Sequence, residues 1–209
     1  MNVVLFSATG MIGSRVLNEL ISRGHNVTAI ARDPSKVPAK PGVNAVKGDI
    51  FDTADVAAKV CATDAVISAY GPGTGDVSDL IKATHSLIAG LDKSDVKRLI
   101  FVGGAGSLLV APGISLIDSG HLPEEYKAIA IAHHDALNLL RASDLDWTYF
   151  SPAGFIQPGE RTGKFRLGTD SLIMDEKGKS FISAEDYAIA LVDELEHPKH
   201  IRQQMTAAY

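Results

Sequence analysis

Short β-branched runs alternate with helix-length amphipathic stretches over the first 150 residues, and this alternation constrains the fold more than any other feature of the chain. Such an order builds βαβ units. Right-handed crossovers then place helices on both faces of a mostly parallel sheet. The sequence therefore predicts an α/β protein with a Rossmann-like, doubly wound parallel sheet.

Six runs are predicted strands and four longer stretches between them are predicted helices. The strands are Val3–Phe6, Val27–Ala31, Ala45–Lys47, Ala65–Ala69, Leu99–Val102 and Trp147–Phe150. The helices are Met11–Arg23, Ala54–Cys61, Val77–Leu91 and Pro123–Ala142.

The segment 7–13, Ser-Ala-Thr-Gly-Met-Ile-Gly, follows the first strand and opens the first helix. A pyrophosphate needs free backbone N–H groups at a helix N-terminus and no side chain in the way, which Gly10 provides. Gly13 allows the helix to approach the strand closely. Ser7 stands where the dinucleotide fingerprint has its first glycine, so the turn must accommodate a side chain. The position of this segment in a βαβ unit favours a dinucleotide site over a turn that binds nothing.

This loop, together with Ala31-Arg-Asp-Pro34, Gly48-Asp49 and the segment 145–153, resembles the atypical short-chain dehydrogenases/reductases over nearly the whole chain. Within that superfamily the sequence is most similar to NAD(P)H-binding proteins of the NADH-flavin reductase type. It is more distantly similar to NmrA-like regulators and to biliverdin/flavin reductases. The segments 183–196 and 200–206 strengthen the resemblance, which implies one domain over 1–209 with a cofactor core in 1–150.

The remaining residues, 151–209, are predicted to form a small extension on the substrate side. It begins with a predicted loop over Pro152–Asp170, followed by a predicted hairpin of Ser171–Met174 and Ser180–Ile182 around Glu176-Lys177-Gly178. A helix is then predicted from Ser183 to about Glu196, with Asp186 in a capping-box position. The last predicted element is an edge strand over Gln203–Ala208.

Ligands of open α/β sheets bind beyond the carboxyl ends of the strands, and this rule together with the resemblance predicts the cofactor-binding residues. They are Ser7, Thr9, Gly10, Met11, Ile12, Gly13, Arg32, Lys36, Gly48, Asp49, Ala69, Tyr70, Gly71, His133, Ser151, Pro152 and Ala153. Asp49 has the alternative role of a helix cap.

Arg32 follows the second strand directly, where Rossmann domains meet the adenosine ribose. An arginine there donates two hydrogen bonds to a 2′-phosphate, and similar reductases pair it with a lysine at the position of Lys36. Asp33, one residue later, would favour the free 2′-hydroxyl. The pattern favours NADP(H) over NAD(H), against the alternative that Arg32 and Lys36 are ordinary solvated residues.

The superfamily's Tyr-x-x-x-Lys proton relay is missing, since Tyr126 is followed four residues later by Ala130. The position of the family's lysine falls near His133. The spacing of Tyr126, Ile129, His133, Leu137 and Leu140 predicts one helical face directed at the sheet. His133 is therefore a candidate to bond the nicotinamide ribose or, alternatively, a core histidine. Ser107, after the fifth strand, is the other catalytic candidate.

The sequence shows no general acid that the protein could position at the substrate. It therefore favours hydride transfer to a flavin- or quinone-like acceptor, because the proton that such an acceptor takes up can come from solvent. FMN or FAD would then be a substrate, held under the connector 108–122 and the loop 155–167. Two alternatives stay open: a non-catalytic NAD(P) sensor of the NmrA-like type, and an epimerase or dehydratase of sugar nucleotides. The latter reactions also rely on the missing tyrosine.

Net charge, hydrophobicity and cysteine content indicate which binding partners and which cellular compartment to expect. The net charge of −5 and the absence of a Lys/Arg run disfavour nucleic acid. No apolar window suits a membrane, and no ligand set suits a metal ion. The single cysteine, Cys61, and an N-terminus unlike a signal peptide agree with a cytoplasmic protein. We expect a monomer or homodimer.

Overall fold

A computed structural model describes residues 1–209 and contains twelve strands. In chain order the strands are β1 (Asn2–Phe6), β2 (Asn26–Ala31), β3 (Val43–Lys47), β4 (Ala65–Ser68), β5 (Arg98–Val102), β6 (Leu109–Ala111), β7 (Ile114–Ser115), β8 (Asp146–Ser151), β9 (Phe155–Gln157), β10 (Arg166–Gly168), β11 (Phe181–Ser183) and β12 (Gln203–Ala208).

Five α-helices connect these strands. They are α1 (Met11–Ser22), α2 (Thr53–Val60), α3 (Ser78–Asp92), α4 (Glu124–Arg141) and α5 (Ala184–Glu196). The six predicted strands and four predicted helices of the first 150 residues are all present, with boundaries shifted by at most two residues.

The main sheet has eight strands in the order β10-β12-β8-β5-β4-β1-β2-β3. All neighbouring strands run parallel except β10, which is antiparallel to β12. The order reverses between β1 and β4, and this switch point is where open α/β sheets bind ligands. The predicted doubly wound, Rossmann-like sheet is confirmed.

Two apolar cores fill the space between the sheet and its helices. One core packs α1 and α5 against one face of the sheet, and the other packs α2, α3 and α4 against the opposite face. The central strands are almost fully buried because both faces are covered, which explains their continuous apolar composition.

The prediction that Gln203–Ala208 forms an edge strand is wrong. This strand, β12, lies between β8 and β10, and three residues of β10 cover its outer side. The edge is therefore Arg166–Gly168, a segment that the sequence predicted to be loop. Its three-residue length gives no detectable alternation of apolar and polar side chains.

The predicted hairpin between Ser171–Met174 and Ser180–Ile182 is also wrong. The turn exists, since the Asp175 carboxylate accepts hydrogen bonds from the backbone N–H groups of Lys177 and Lys179. The flanking residues pair elsewhere, however: β11 lies parallel to β9, and Ser171 bridges to Leu109. A local turn signal does not determine the partners of the strands around it.

The segment 159–163 is fixed to the start of α5 by its backbone. The Asp186 carboxylate accepts hydrogen bonds from the N–H groups of Thr162 and Gly163, at 2.8 Å each. Ser183 caps α5 as predicted, accepting from the N–H of Asp186. The reciprocal half of the predicted capping box is not formed, because the Asp186 side chain holds this segment instead.

None of the helices combines the length and the apolarity that crossing a bilayer requires.

Candidate functional site

The turn between β1 and α1 has the geometry of a phosphate-binding loop. Ser7 adopts a positive φ of 63°, the backbone conformation that glycine would supply at the first position of the fingerprint. A Cβ on residue 13 would lie 2.1 Å from the Ser7 carbonyl oxygen and 3.3 Å from the Ala69 Cβ. Gly13 is therefore required by the close approach of α1 to the turn.

Gly10 differs from Gly13, because nothing in the protein itself requires a glycine at this position. A Cβ on this residue would meet only the Ser7 carbonyl oxygen, at an ordinary 3.5 Å, so no internal contact demands glycine there. Gly10 is the N-cap of α1, and no side chain caps the helix or places a carboxylate in its first turn. The first N–H groups of α1 thus have no side-chain partner and carry the partial positive charge of the helix N-terminus, which suits an anion that approaches the backbone closely.

A cavity of about 310 Å³ opens beside this loop, at the carboxyl ends of β1, β2, β3 and β4. It brings together ten of the predicted cofactor-binding residues: Ser7, Thr9, Gly10, Arg32, Lys36, Gly48, Asp49, Ala69, Tyr70 and Gly71. It is also lined by Phe6, Ile30, Ala31 and Phe51, which were not predicted, and by Asp33 and Ile50, which directly follow the predicted residues Arg32 and Asp49.

The charged side chains after β2 divide into paired and free groups. The Asp33 carboxylate accepts hydrogen bonds from the N–H and the hydroxyl of Ser35, and these bonds lower its pKa. Lys36 lies 3.9 Å from Asp33 and is largely exposed. Arg32 forms no ion pair and no hydrogen bond, so its guanidinium is available to a ligand in the cavity. Asp33 is held in the turn, facing Ser35.

The wall formed after β3 is apolar and aromatic. A Cβ on residue 48 would lie 2.6 Å from Ile30 Cγ2, so a side chain there would force Ile30 to move. The Asp49 carboxylate accepts from the Phe51 N–H at 3.0 Å, whereas Asp52 caps α2, so the helix-cap alternative for Asp49 is wrong. Phe51 and Tyr70 meet edge to face with ring centroids 5.6 Å apart. This half-exposed aromatic pair is suited to pack against a flat ring.

A second cluster of predicted residues lies at the carboxyl ends of β5 and β8, outside this cavity. Its centre is Gly104, whose N–H donates to the Tyr149 hydroxyl at 3.0 Å. That hydroxyl donates to the His133 carbonyl oxygen at 2.9 Å. A Cβ on residue 104 would lie 2.9 Å from the His133 ring, so the imidazole packs directly against the backbone at this point.

The His133 imidazole is neutral around neutral pH, because burial lowers its pKa to about 4. Its Nδ1 atom is enclosed and has no hydrogen-bond partner, although part of the side chain remains accessible. The predicted helical face is correct for Leu137 and Leu140, which are buried. It is wrong for Tyr126, which lies in the first turn of α4 and is 55% exposed.

Ser107 ends a single turn of 3-10 helix after β5, and Ser151 ends β8. Their hydroxyl groups are joined by Gln204, whose Nε2 lies 2.9 Å from each Oγ. The sequence reading singled out both serines but not this glutamine. Seven predicted cofactor-binding residues lie outside the cavity: Met11, Ile12 and Gly13 in the first turn of α1, His133 on α4, Ser151 at the end of β8, and Pro152 and Ala153 after it.

The chemistry of these features suits a dinucleotide. An uncapped helix N-terminus with an uncrowded glycine suits the pyrophosphate, the cavity suits the adenosine half, and the unpaired Arg32 suits a phosphate on its ribose. The model of the NAD(P)H-binding family matches residues 7–198. The chain belongs to the NAD(P)H-binding family.

Several proteins are similar to this NAD(P)H-binding protein over their whole length. Protein YwnB of Bacillus subtilis (strain 168) is 40% identical over 210 residues, covering 99% of this chain and 97% of YwnB. A crystal structure from Burkholderia pseudomallei, named "Putative exported protein", is 51% identical with a TM-score of 0.93 and full coverage of both chains.

Two further crystal structures carry names that refer to activities. A "putative epimerase" from Bacteroides thetaiotaomicron is 43% identical with a TM-score of 0.93, covering 100% of this chain and 96% of the other. A "putative NADH-flavin reductase" from Streptococcus pneumoniae TIGR4 is 37% identical with a TM-score of 0.87, covering 100% of this chain and 99% of the other. The NAD(P)H-binding protein thus shares its fold with one protein named a "putative epimerase" and with another named a "putative NADH-flavin reductase".

Proposed function

We propose that this protein is an NAD(P)H-dependent reductase of flavin- or quinone-like acceptors, with NADPH as the preferred cofactor. Two features together carry the proposal. The first is the dinucleotide cradle, which is the turn 7–13 with the cavity beside it. The second is the cluster around Ser107, His133 and Ser151, whose side chains are all uncharged around neutral pH. The name of the Streptococcus pneumoniae relative agrees with this assignment.

In this proposal the turn 7–13 and the first N–H groups of α1 hold the pyrophosphate. Phe51 and Tyr70 pack against the adenine, and Arg32 with Lys36 neutralises the 2′-phosphate. One carboxylate oxygen of Asp33 accepts hydrogen bonds from the N–H and the hydroxyl of Ser35, whereas the Arg32 guanidinium has no protein partner. Arg32 is therefore the group proposed to bind at the ribose. When bound, the nicotinamide supplies the hydride.

The acceptor side is Ser107, His133 and the segment Ser151–Ala153. It provides hydrogen-bonding groups but no acid or base that titrates near neutral pH: the pKa of His133 is about 4, and burial raises the pKa of the Tyr149 hydroxyl far above its ordinary value. Reduction of a carbonyl substrate to an alcohol needs a proton donor positioned by the protein. Reduction of a flavin or quinone does not, because those products take their proton from water.

The acceptor is proposed to lie under the connector 108–122. In this connector β6 and β7 form a short hairpin, and the N–H of Leu109 donates to the Asp170 carbonyl oxygen while that of Leu172 donates to the Leu109 carbonyl oxygen. The exposed side chains of Ile114 and Met174 belong to these two segments. They give the region the apolar surface that a flat aromatic acceptor needs.

The test is oxidation of NADPH and of NADH with FMN, FAD and a simple quinone, alongside direct titration of each cofactor. We expect saturable turnover above the protein-free rate, with NADPH favoured. Gly10→Ala is the matched negative variant, since its backbone conformation accepts alanine while the added methyl group enters the cradle. Tight cofactor binding without turnover would support the regulatory alternative, and turnover of a sugar nucleotide would support the epimerase alternative.

A further inference from the structure

A buried glutamine from the last strand joins the two serines of the acceptor side. Gln204 lies on β12 and is only 7% exposed. Its Nε2 is 2.9 Å from the Ser107 Oγ and 2.9 Å from the Ser151 Oγ, across 97 and 53 residues of chain. A buried primary amide on a strand requires hydrogen-bond partners, and these two hydroxyl groups supply them.

The orientation of this amide follows from the third bond of the network. The Ser151 hydroxyl has one hydrogen, which it donates to the Gly104 carbonyl oxygen at 2.8 Å. Ser151 can therefore only accept from Gln204, so the amide must turn its NH₂ group toward the serines. The second amide hydrogen then points at Ser107, whose Oγ accepts it.

Ser107 is consequently left with its own hydroxyl hydrogen unused. Its Oγ accepts from Gln204 and donates to no protein atom. The residue is partly exposed and ends the turn that follows β5, at the sheet edge where the acceptor is proposed to bind. The free O–H of Ser107 is therefore available to a bound molecule.

We propose that Gln204 is a positioning residue, which holds Ser107 so that its hydroxyl donates a hydrogen bond to a carbonyl oxygen of the acceptor. The proposal rests on the reductase function above and narrows its substrates to flat acceptors with a ring carbonyl, such as an isoalloxazine or a quinone. The hydrogen bond stabilises the negative charge that develops on this oxygen as hydride arrives. No proton needs to be transferred from the serine.

The variants that test this are Ser107→Ala, Gln204→Leu and the double variant. One neutral hydrogen bond contributes about 1 kcal/mol, so each single change should lower kcat/KM for FMN about fivefold. If Gln204 acts through Ser107, adding Gln204→Leu to Ser107→Ala causes no further loss. Ser107→Thr retains the hydroxyl and should restore most of the activity.

Gln204→Glu is the second variant. It keeps the shape of the side chain but replaces the NH₂ donor of the amide with an oxygen that accepts hydrogen bonds. A carboxylate accepts hydrogen bonds and would draw the Ser107 hydrogen inward. The loss of activity should therefore equal or exceed that of Ser107→Ala, even where Gln204→Leu fails to fold.

Thr206→Val is the matched control, because Thr206 lies two residues along β12 and its buried hydroxyl has no partner. We expect it to leave kcat and KM unchanged. A readout independent of turnover is the dissociation constant of FMN for the NADP⁺-loaded protein, measured by flavin fluorescence. It should rise by a similar factor, about fivefold, in Ser107→Ala and in Gln204→Leu.

The proposal is supported if the two single variants lose activity equally and the double variant loses no more than either of them. Losses that multiply in the double variant, or a Gln204→Leu protein with unchanged FMN binding and turnover, would overturn it. Wild-type protein that binds NADPH but reduces neither FMN nor a quinone would overturn the reductase function itself. That outcome is distinct, because it is seen in the wild-type protein before any variant is measured.

Discussion

The Ser7 carbonyl oxygen and the α-carbon of Gly13 are so close that a methyl group on residue 13 would lie 2.1 Å from that oxygen. Contact this short forces the backbone to move, whereas the same methyl group on Gly10 would sit at 3.5 Å. The two glycines of one short loop therefore have separate roles. Gly13 serves the packing of α1 on β1, and Gly10 leaves room for a ligand.

Gly13→Ala should destabilise the fold, and Gly10→Ala should not. We expect a loss of about 3 kcal/mol in the free energy of unfolding for Gly13→Ala, because backbone must shift. For Gly10→Ala we expect a change within about 1 kcal/mol, with NADPH binding weakened about tenfold or more. Urea unfolding and NADPH titration of both variants check this. Equal stability of the two variants would contradict the assignment of roles.

Arg32→Ala should weaken NADPH binding much more than NADH binding. Hydrogen bonds from a guanidinium to a phosphate are worth about 1.5–3 kcal/mol, so the expected loss for NADPH is about 10- to 100-fold. Lys40→Ala is the matched control: this lysine bonds the Asn18 side chain outside the cavity, and its removal should leave both affinities unchanged. If Arg32→Ala weakens the two cofactors equally, the arginine does not bind the 2′-phosphate.

Glu19 should contribute to stability at neutral pH and lose that contribution in acid. The hydrogen bond from Arg161 lowers its pKa below the ordinary 4.5, against the opposing effect of burial and with help from Arg23. A lowered carboxyl pKa means that the stabilisation is complete above the unfolded value and disappears as pH falls through the folded one.

Glu19→Gln should therefore reduce the free energy of unfolding at pH 7 by about 1–3 kcal/mol, and the difference from wild type should shrink as the pH drops below about 4.5. Denaturant unfolding at several pH values measures both effects. Glu160→Gln, at an exposed side chain without an ion pair, is the control. A difference that is the same at all pH values would show that the ionised form of Glu19 is not what stabilises the fold.

The turnover number should be independent of pH between about 6 and 9. In this range His133 stays neutral because its pKa is about 4, and the Tyr149 hydroxyl stays protonated because burial raises its pKa. Neither of these two side chains then changes its charge. A pH profile of kcat with FMN checks this. A rise or fall of kcat between about pH 6 and 9 would reveal an ionising catalytic group, which the proposed reaction does not have.

The cofactor half of the molecule could be predicted from the sequence because its signals are local. The loop 7–13 lies within a few residues of the strand and helix that position it, and Arg32 directly follows β2. Phe51 was missed as a wall of the cavity, since nothing in the sequence shows that a residue beyond Asp49 meets Tyr70.

The carboxyl-terminal third could not be predicted to the same depth because its contacts are distant in sequence. Strands β9, β10 and β11 have three residues each, too few for a periodic pattern, and their pairing depends on tertiary context. Gln204 looks like an ordinary polar residue in the sequence. Only the folded chain places it between Ser107 and Ser151.

The most direct test of the central claim is anaerobic reduction of FMN by NADPH that carries deuterium on one or the other face of C4. The account predicts turnover above the protein-free rate and a primary isotope effect with only one of the two labelled cofactors, because a fixed nicotinamide presents a single face to the acceptor. Tight NADPH binding without FMN reduction, or equal slowing by both labels, would contradict it.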